Sequence, residues 1–308
     1  MGHLLKRIST IVRNAATLGA LRLTFRFESL LAPDAAIRRA GRIFCTPFAS
    51  SRSRALHARL DGACETTLVI GGLPIEIYTW GDPSIQPYVL FAHGWYSHCT
   101  RIQSWVAPLR DAGYALVAFD QAGHGKSGGR LATLPGFTDL LMDIGRRHGP
   151  AAAVIGHSLG GAATAAALVR GLDAQRAILI APAADPVDAA FRFARFVGLP
   201  GYLCRRMIAG FEQRIGIPFA DFQAHRNAPR IARPALIVHD VGDREVPWAE
   251  GERYARFWAD SRLMSTQGLG HNRIADDAGV ITACVRFLSG EAVGERVVSS
   301  RNLPYGFA

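Results

Sequence analysis

The sequence predicts an α/β fold, in which a mostly parallel twisted sheet carries helices on both faces. Between residues 66 and 290, short apolar runs typical of strands alternate with longer segments of helical periodicity. Alternation at this spacing requires crossover connections, which join parallel strands. A Gly71-Gly72 pair between two β-rich runs adds an antiparallel hairpin at one edge. A hydrophobic content of 49% is enough to build a substantial core.

The positive charge of the chain is concentrated at its start. The 308 residues carry a formal net charge of +10. Residues 1–60 hold eleven Lys and Arg residues against two acidic residues, whereas the remainder is nearly neutral. The basic character therefore belongs to an N-terminal arm and not to the rest of the protein.

The arm, residues 1–65, is predicted to be a mainly helical extension. Its first 18 positions place apolar residues at helical spacing with basic residues opposite, and residues 35–44 have a helical pattern again. Residues 21–28 alternate strictly between apolar and polar side chains, which fits a strand as well as a helix. We expect no membrane span, because no run reaches about 18 apolar residues, and no signal peptide or myristoylation pattern.

Two interpretations of the arm stay open. We expect a cytoplasmic protein. A basic amphipathic segment can lie on an anionic membrane, which would make the protein peripheral to the inner face of a membrane. Alternatively, the apolar face packs on the rest of the protein while the arginines face water. We expect no nucleic-acid partner, because the basic residues form no recognisable binding module.

The cysteines argue for a reducing compartment. Their odd number and scattered positions favour free thiols, and the absence of a C-x-x-C pair argues against zinc. We therefore expect neither a metal nor a cofactor. The five residues are Cys45, Cys64, Cys99, Cys204 and Cys284.

The predicted core consists of residues 66–182 and 230–290, with a tail at 291–308. Its strands are expected at residues 67–70, 73–79, 88–92, 114–119, 151–155, 176–180, 234–239 and 262–266. Its helices are expected at residues 136–148, 161–169, 248–259 and 272–288.

Residues 183–229 interrupt the alternation and are rich in Phe and Tyr. We predict a helical cap inserted above the strand ends. Its aromatic side chains could wall a pocket for an apolar acyl group, or they could form the core of the cap itself. The sequence leaves both open.

The segment Gly156-His157-Ser158-Leu159-Gly160 is the first candidate for chemistry. An apolar strand precedes it and an Ala-rich helix follows it. A serine on such a sharp turn points outward at the carboxyl edge of the sheet, near free N–H groups of the helix. Ser158 is therefore a candidate nucleophile.

A nucleophilic serine needs a base and an orienting acid, and later strand ends supply candidates. His271 follows the last strand, and Asp243 follows the strand before it. The order Ser158, Asp243, His271 is that of nucleophile-elbow enzymes. Asp240, which directly follows its strand, and Asp185 are competing acids.

Other histidines compete with His271 for the role of base. His157 is expected to point away from the nucleophile, and His93 and His124 are expected to brace their loops by hydrogen bonds. His98 is a candidate for the pocket entrance. We select His271 because it alone lies after the last strand.

From about residue 66 to residue 288, the chain resembles the α/β-hydrolase superfamily, and within it the monoacylglycerol-lipase-like and serine-aminopeptidase-like branch. Five motifs in the same order are much more specific than any one of them. They are His93-Gly94-Trp95, residues 120–127 with a Gly-His-Gly core, residues 156–160, Gly242-Asp243-x-x-Val246-Pro247, and Gly270-His271.

The resemblance implies a role for each site residue. Ser158 would attack a carbonyl carbon, His271 would transfer the proton, and Asp243 would orient the imidazole. The backbone N–H groups of Trp95 and Leu159 would form the oxyanion hole. Asp243 is preferred over the competing acids because it occupies the loop position of the family.

The resemblance also implies a reaction. Ser158 at the elbow, in place of the aspartate of related epoxide hydrolases and dehalogenases, predicts a serine hydrolase that cleaves a small acyl ester, possibly of acylglycerol type, through an acyl-enzyme. An acyltransferase or a thioesterase would use the same residues, so both remain alternatives. A non-catalytic protein that binds a ligand or a membrane is a further alternative. The resemblance also implies a structural role for Asp120, which would fix the loop that it begins.

Overall fold

The structure is a computed structural model. It describes residues 2–47, 52, 53, 55, 56, 58 and 60–297, with side chains from residue 17 onward. The predicted basic positions Arg54 and Arg59, and residues 298–308 of the predicted tail, lie outside the described residues. The chain divides into two compact units. The helical unit combines residues 1–45 with 186–221, and the sheet unit combines residues 46–185 with 222–308.

The sheet has eight strands in the order β1-β2-β4-β3-β5-β6-β7-β8. Their bounds are β1 Cys64–Ile70, β2 Leu73–Trp80, β3 Tyr88–Ala92, β4 Ala115–Phe119, β5 Ala153–His157, β6 Ala177–Ile180, β7 Ala235–Asp240 and β8 Ser261–Thr266. Strand β2 pairs antiparallel with β1 and with β4, and all other pairs are parallel. The predicted hairpin and the predicted parallel sheet are both confirmed.

The turn between β1 and β2 depends on two glycines. Gly71 and Gly72 have φ angles of 58° and 77°. A two-residue turn with both φ angles positive matches the twist of the flanking strands, and glycine adopts it without steric cost. The turn sets the register of the hairpin, in which Ile70 lies opposite Leu73.

The helices alternate with the strands along the chain. Their bounds are α1 Gly2–Leu31, α2 Pro33–Phe44, α3 Gln103–Asp111, α4 Leu134–His148, α5 Leu159–Val169, α6 Pro186–Val197, α7 Gly201–Ile215, α8 Ala224–Asn227, α9 Trp248–Phe257, α10 Gly270–Arg273 and α11 Ala278–Leu288. Helix α3 was not expected from the sequence. The helix expected at 272–288 is two helices, because the Asp277 side chain accepts a hydrogen bond from Val280 N–H and starts α11 anew.

Both faces of the sheet are covered by apolar helix surfaces, as alternating side chains in the strands require. On one face, Leu90 and Val117 pack with residues of α4, α5 and α9. On the other face, their neighbours Val89 and Leu116 pack with residues of α3 and α11. The five strands β3 to β7 are buried at every position, so their carboxyl ends form a firm edge on which loop residues can be positioned.

The helical unit has a core of its own. Phe25 of α1, Ala36 of α2, Ala194 of α6 and Leu203 of α7 belong to one buried cluster. The sequence analysis treated the N-terminal arm and the 183–229 insertion as separate segments. In the structure, parts of both share this cluster, and the packing of four helices accounts for their stability better than helix propensity alone.

Helix α1 settles the ambiguity of residues 21–28. The segment is helical, so residues two apart lie on opposite sides. Leu21 and Phe25 therefore face the core of the helical unit, whereas Leu23 and Phe27 are 56% and 64% exposed. Among the described residues, no helix has both the length and the apolar character that crossing a membrane requires.

Candidate active site

Ser158 lies at the turn between β5 and α5, with φ 55° and ψ −118°. This left-handed φ is costly for a residue with a Cβ, and such strain is held in place by surrounding contacts. Here the Ser158 N–H donates to the Ile180 carbonyl at 2.9 Å, and the Ser158 carbonyl accepts from Gly161 N–H at 3.0 Å. The turn thus holds the Ser158 side chain at the carboxyl edge of the sheet.

The glycines on either side of Ser158 are required by close packing. A Cβ at Gly160 would collide with the carbonyl groups of Ala92 and His93, and a Cβ at Gly156 would lie 2.5 Å from the Gly160 oxygen. Helix α5 can therefore begin directly beneath the end of β3 only if both positions lack side chains.

The three predicted residues from different strand ends meet in one chain of hydrogen bonds. His271 Nε2 lies 2.9 Å from Ser158 Oγ, and His271 Nδ1 lies 2.7 Å from Asp243 Oδ2. All three residues are 8% exposed. An ionised carboxylate only accepts hydrogen bonds, so His271 Nδ1 carries the proton and Nε2 presents its lone pair to the Ser158 hydroxyl.

Asp243 is held in its ionised form. Burial alone would raise its pKa, but the neighbouring His239 and His271 imidazoles and the Val246 N–H together lower the pKa below its usual range. Asp243 Oδ1 accepts from the N–H groups of Glu245 and Val246 at 2.8 and 3.0 Å. The carboxylate can therefore stabilise positive charge on the His271 imidazole.

The competing acids lie elsewhere. Asp240 accepts hydrogen bonds from the Thr266 hydroxyl and the Leu269 N–H, both at 2.9 Å, and so ties β7 to the loop that precedes His271. Asp185 pairs with Gln223 at 2.7 Å and with Arg253 at 3.5 Å. Among the described residues, only Asp243 has a carboxylate hydrogen-bonded to His271.

A second histidine at the acid was not anticipated from the sequence. His239 is fully buried at the end of β7, and its Nε2 donates to the Val246 carbonyl at 3.0 Å and lies 3.4 Å from Asp243 Oδ2. Gly251 makes room for this imidazole, because a Cβ there would collide with it. The sequence signal that could have revealed His239 was the adjacent pair His239-Asp240, which ends an otherwise apolar strand.

His157 contacts the backbone and the ring of His271. Its Nε2 donates to the His271 carbonyl at 2.9 Å, and the two rings lie 5.0 Å apart. Burial, followed by the charge of His271, lowers the pKa of His157 to about 3. The neutral imidazole therefore anchors the backbone of the base across the pH range of most enzymes.

His93 connects two loops at the site. Its Nδ1 donates to the Gly94 carbonyl at 2.8 Å, and its Nε2 accepts from the Gln121 N–H at 2.9 Å. Burial lowers its pKa to about 4, so one neutral tautomer satisfies both contacts. His124 packs 5.1 Å from His93, and burial lowers its pKa to about 3. His98, which was predicted to lie at the pocket entrance, contacts the Thr100 hydroxyl.

The loop of Trp95 lies directly against the serine. A Cβ at Gly94 would come 2.9 Å from Ser158 Cβ. Leu159 is the first residue of α5, and N–H groups in the first turn of a helix have no partner within the helix. The Trp95 and Leu159 side chains pack on one small buried cluster around Phe137. The Trp95 loop and the start of α5 therefore both adjoin Ser158, and the role of their N–H groups as oxyanion donors stays a prediction.

Asp120 ties its own loop together. Its Oδ1 accepts from the Cys99 N–H at 2.8 Å, and its Oδ2 accepts from the Lys126 N–H at 2.8 Å and from the Tyr78 hydroxyl at 3.1 Å. Gly125, with φ 47°, passes so close to this carboxylate that a Cβ would collide with it. These are the contacts of a residue that fixes a loop.

Among the described residues, no group of three or more His, Cys, Asp or Glu side chains could hold a metal ion.

We expect the free energy of unfolding to decrease as the pH falls from about 6.5 towards 4. His93 and His157 stay neutral in the folded chain, with pKa values of about 4 and about 3, whereas in the unfolded chain they bind protons near pH 6.5. The unfolded state therefore binds more protons, and each histidine contributes about 1.4 kcal/mol per pH unit.

Urea unfolding of the wild type and of His93→Gln at several pH values between 7 and 4 tests this. The variant should show a weaker pH dependence. Equal dependence in both proteins would contradict the assignment of a neutral His93.

Comparison with known proteins supports the fold and its class. Residues 83–212 match the family model described as serine aminopeptidase, S33. A monoacylglycerol lipase from Mycolicibacterium smegmatis is 32% identical over 102 residues, which cover 30% of this chain. The match spans 36% of that relative's length, so it covers little more than a third of it.

Solved structures show the same fold at low identity. A hydrolase from Pseudomonas aeruginosa PA01 has a TM-score of 0.58 at 17% identity, and mouse alpha/beta hydrolase domain-containing protein 10 has 0.57 at 21%; each comparison covers 74% of this chain and 98% of the other. A bacterial membrane phospholipase A has a TM-score of 0.57 at 18% identity, over 94% of this chain and 99% of the other.

The family model includes Ser158 and Trp95 but ends before Asp243 and His271. The positions of those two residues therefore rest on the sheet, whose β7 and β8 lie side by side and carry them to the same edge. The predicted fold class is confirmed. The chain has the α/β-hydrolase fold, and residues 83–212 are similar to the family described as serine aminopeptidase, S33.

Proposed function

We propose that the protein is a serine hydrolase that cleaves a carboxylic ester of acylglycerol type through an acyl-enzyme on Ser158. The observation that carries the proposal is the hydrogen-bond chain from Ser158 Oγ through His271 to Asp243, with distances of 2.9 and 2.7 Å. A serine hydroxyl is a weak nucleophile unless an adjacent base removes its proton, and this arrangement provides such a base.

The first half of the proposed reaction forms the acyl-enzyme. Ser158 Oγ attacks the ester carbonyl carbon while His271 Nε2 takes the hydroxyl proton, and Asp243 stabilises the resulting imidazolium. The carbonyl oxygen becomes an oxyanion, which accepts hydrogen bonds from the Trp95 and Leu159 N–H groups. When the tetrahedral intermediate collapses, His271 returns the proton to the departing alcohol oxygen.

The second half releases the acid. Water takes the place of the alcohol, His271 Nε2 removes its proton, and the hydroxide attacks the acyl carbon. Collapse of the second intermediate breaks the bond to Ser158 Oγ, which recovers its proton from His271. One ester and one water molecule are converted to one carboxylic acid and one alcohol.

The substrate class is proposed from sequence similarity. The relative that is 32% identical over 102 residues is a monoacylglycerol lipase. On this similarity we propose the acylglycerol class for this chain. Substrate choice depends on the pocket around the reacting atoms, so product analysis decides this part of the proposal.

A fluorophosphonate probe tests the nucleophile directly. The wild type should be labelled, and mass spectrometry of a digest should locate the label on Ser158. Ser158→Ala should remain unlabelled, and Thr164→Ala, which alters another buried hydroxyl on α5, should label normally. An unlabelled wild type would refute the enzyme proposal.

Product analysis then tests the substrate. Incubation with monoacylglycerols should release free fatty acid and glycerol, and p-nitrophenyl esters of increasing chain length would define the acyl preference. The protein could instead be labelled by the probe and yet leave all esters intact in water. Acyl transfer to an added alcohol would then identify an acyltransferase, and cleavage of thioesters would identify a thioesterase.

A further inference from the structure

Helix α1 of the helical unit has an apolar face that nothing in the chain covers among the described residues. We define the α1 outer face as Leu23, Phe27, Leu30 and Leu31, whose exposed fractions are 56, 64, 79 and 84%. Residues 23, 27, 30 and 31 follow the spacing of one helix face. The four side chains therefore form a continuous strip and are not isolated surface residues.

This face exists because the sequence alternates where the backbone is helical. The opposite side of α1 carries Leu21 and Phe25, which pack with α6 and α7 in the core of the helical unit. One helix thus has one apolar face for folding and a second that folding does not use. Contiguous apolar patches of this kind mark contact surfaces.

The surroundings of the α1 outer face are basic. Arg26, one helical turn from both Leu23 and Leu30, is exposed and makes no ion pair among the described residues. Arg22 is exposed beside it, and its Nε donates to the Phe196 carbonyl at 2.9 Å. Phe196 is itself 52% exposed, so a further exposed aromatic side chain lies next to Arg22.

The charge belongs to the whole helical unit. Residues 1–45 and 186–221 contain thirteen Lys and Arg against five Asp and Glu, whereas the rest of the chain contains 22 against 20. A partner that covers this unit must therefore offer both an apolar interior and negative charge. A second copy of this chain would bring the same positive charge, which opposes pairing.

We infer that the α1 outer face docks the protein on the surface of an anionic lipid bilayer. Leu23, Phe27, Leu30 and Leu31 would enter the boundary between headgroups and acyl chains, and Arg22 and Arg26 would lie at the level of the anionic headgroups. Helix α1 lies along the surface in this arrangement. The inference is independent of the proposed esterase activity, since it uses none of the residues at Ser158.

Vesicle flotation tests the inference with the full-length chain. Wild type should bind vesicles of phosphatidylcholine mixed with phosphatidylglycerol and bind less to phosphatidylcholine alone, and added salt should weaken binding. Phe27→Gln/Leu30→Gln should reduce partitioning by about tenfold or more, because two buried apolar side chains are lost. Arg26→Gln should reduce it by about fivefold.

The matched control is Val69→Gln/Ile85→Gln, which removes two apolar side chains that are 73% and 81% exposed in the sheet unit. This control should bind vesicles like the wild type. Circular dichroism and hydrolysis of a soluble ester should be unchanged in every variant. A separate Leu31→Gln variant, which alters one residue of the α1 outer face, should weaken vesicle binding less than the double variant. If the wild type does not hydrolyse the ester, that result contradicts the proposed function and leaves the membrane inference unaffected.

Three results would overturn the inference. The wild type could fail to bind anionic vesicles, or Phe27→Gln/Leu30→Gln could bind as well as the wild type. In sedimentation experiments, conversion of a wild-type dimer to a monomer by the same double variant would identify the face as an interface between copies.

Discussion

Ser158→Ala should reduce kcat for a carboxylic ester on the order of 10⁶-fold, since it removes the attacking oxygen. His271→Ala should cause a loss of similar size, because the Ser158 hydroxyl 2.9 Å away would then have no base. Both variants should retain the wild-type circular dichroism spectrum, since the two side chains contribute little to the cores of the sheet unit.

The double variant provides the sharper measurement. Residues that act as one unit lose their effect together, so Ser158→Ala/His271→Ala should be no slower than either single variant. Additive losses in kcat would mean that the two side chains act independently. In that case the hydrogen bond between them would not be the basis of catalysis.

Asp243→Asn should reduce kcat by about 10⁴-fold. The asparagine amide can donate a hydrogen bond to His271 Nδ1, which would move the imidazole proton to Nε2, where it faces Ser158. The base would then be in the wrong tautomer, and the charge that stabilises the imidazolium would be gone. Steady-state kinetics on a soluble ester measure this, and KM should change much less than kcat.

Asp240→Asn is the matched control, three residues earlier in the chain. Asp240 accepts hydrogen bonds from Thr266, Leu269 and Gly242, and it holds the loop without touching His271. Its loss should keep kcat within about tenfold while lowering thermal stability, as expected for a buried hydrogen-bond acceptor. A 10⁴-fold loss in Asp240→Asn with an active Asp243→Asn would exchange the two roles.

The order of strands and helices in the sheet unit was predictable because local patterns report it. Strands buried on both faces are short apolar runs, and the glycines at the turns mark where the backbone passes close to itself. Strand β3 has the expected bounds, and the bounds of the other strands differ from those expected by one to three residues. Helix α3 escaped prediction because it is only nine residues long and contains Pro108, a residue that argues against a helix interior.

The residues around Ser158 were predictable from their place after successive strands, since parallel strands bring their carboxyl ends to one edge. Their support was not. His239 contacts Asp243, and His157 contacts the His271 backbone. The spacing of these residues in the sequence does not reveal either contact. The resemblance favoured Asp243 over Asp240, but the contact itself needed the fold. Asp240 ends β7 and Asp243 lies three residues later, and the structure shows that Asp243 contacts His271.

The sequence by itself determined the α/β class, the turn at Ser158 and the concentration of positive charge near the start of the chain, because each depends on residue type and local spacing. Only the tertiary structure decided which acid contacts His271 and which apolar residues of α1 are buried. Alternation at residues 21–28 is compatible with two backbones, and the packing of Phe25 among α2, α6 and α7 selects the helix. That selection leaves Leu23 and Phe27 facing outward, since residues two apart in a helix lie on opposite sides.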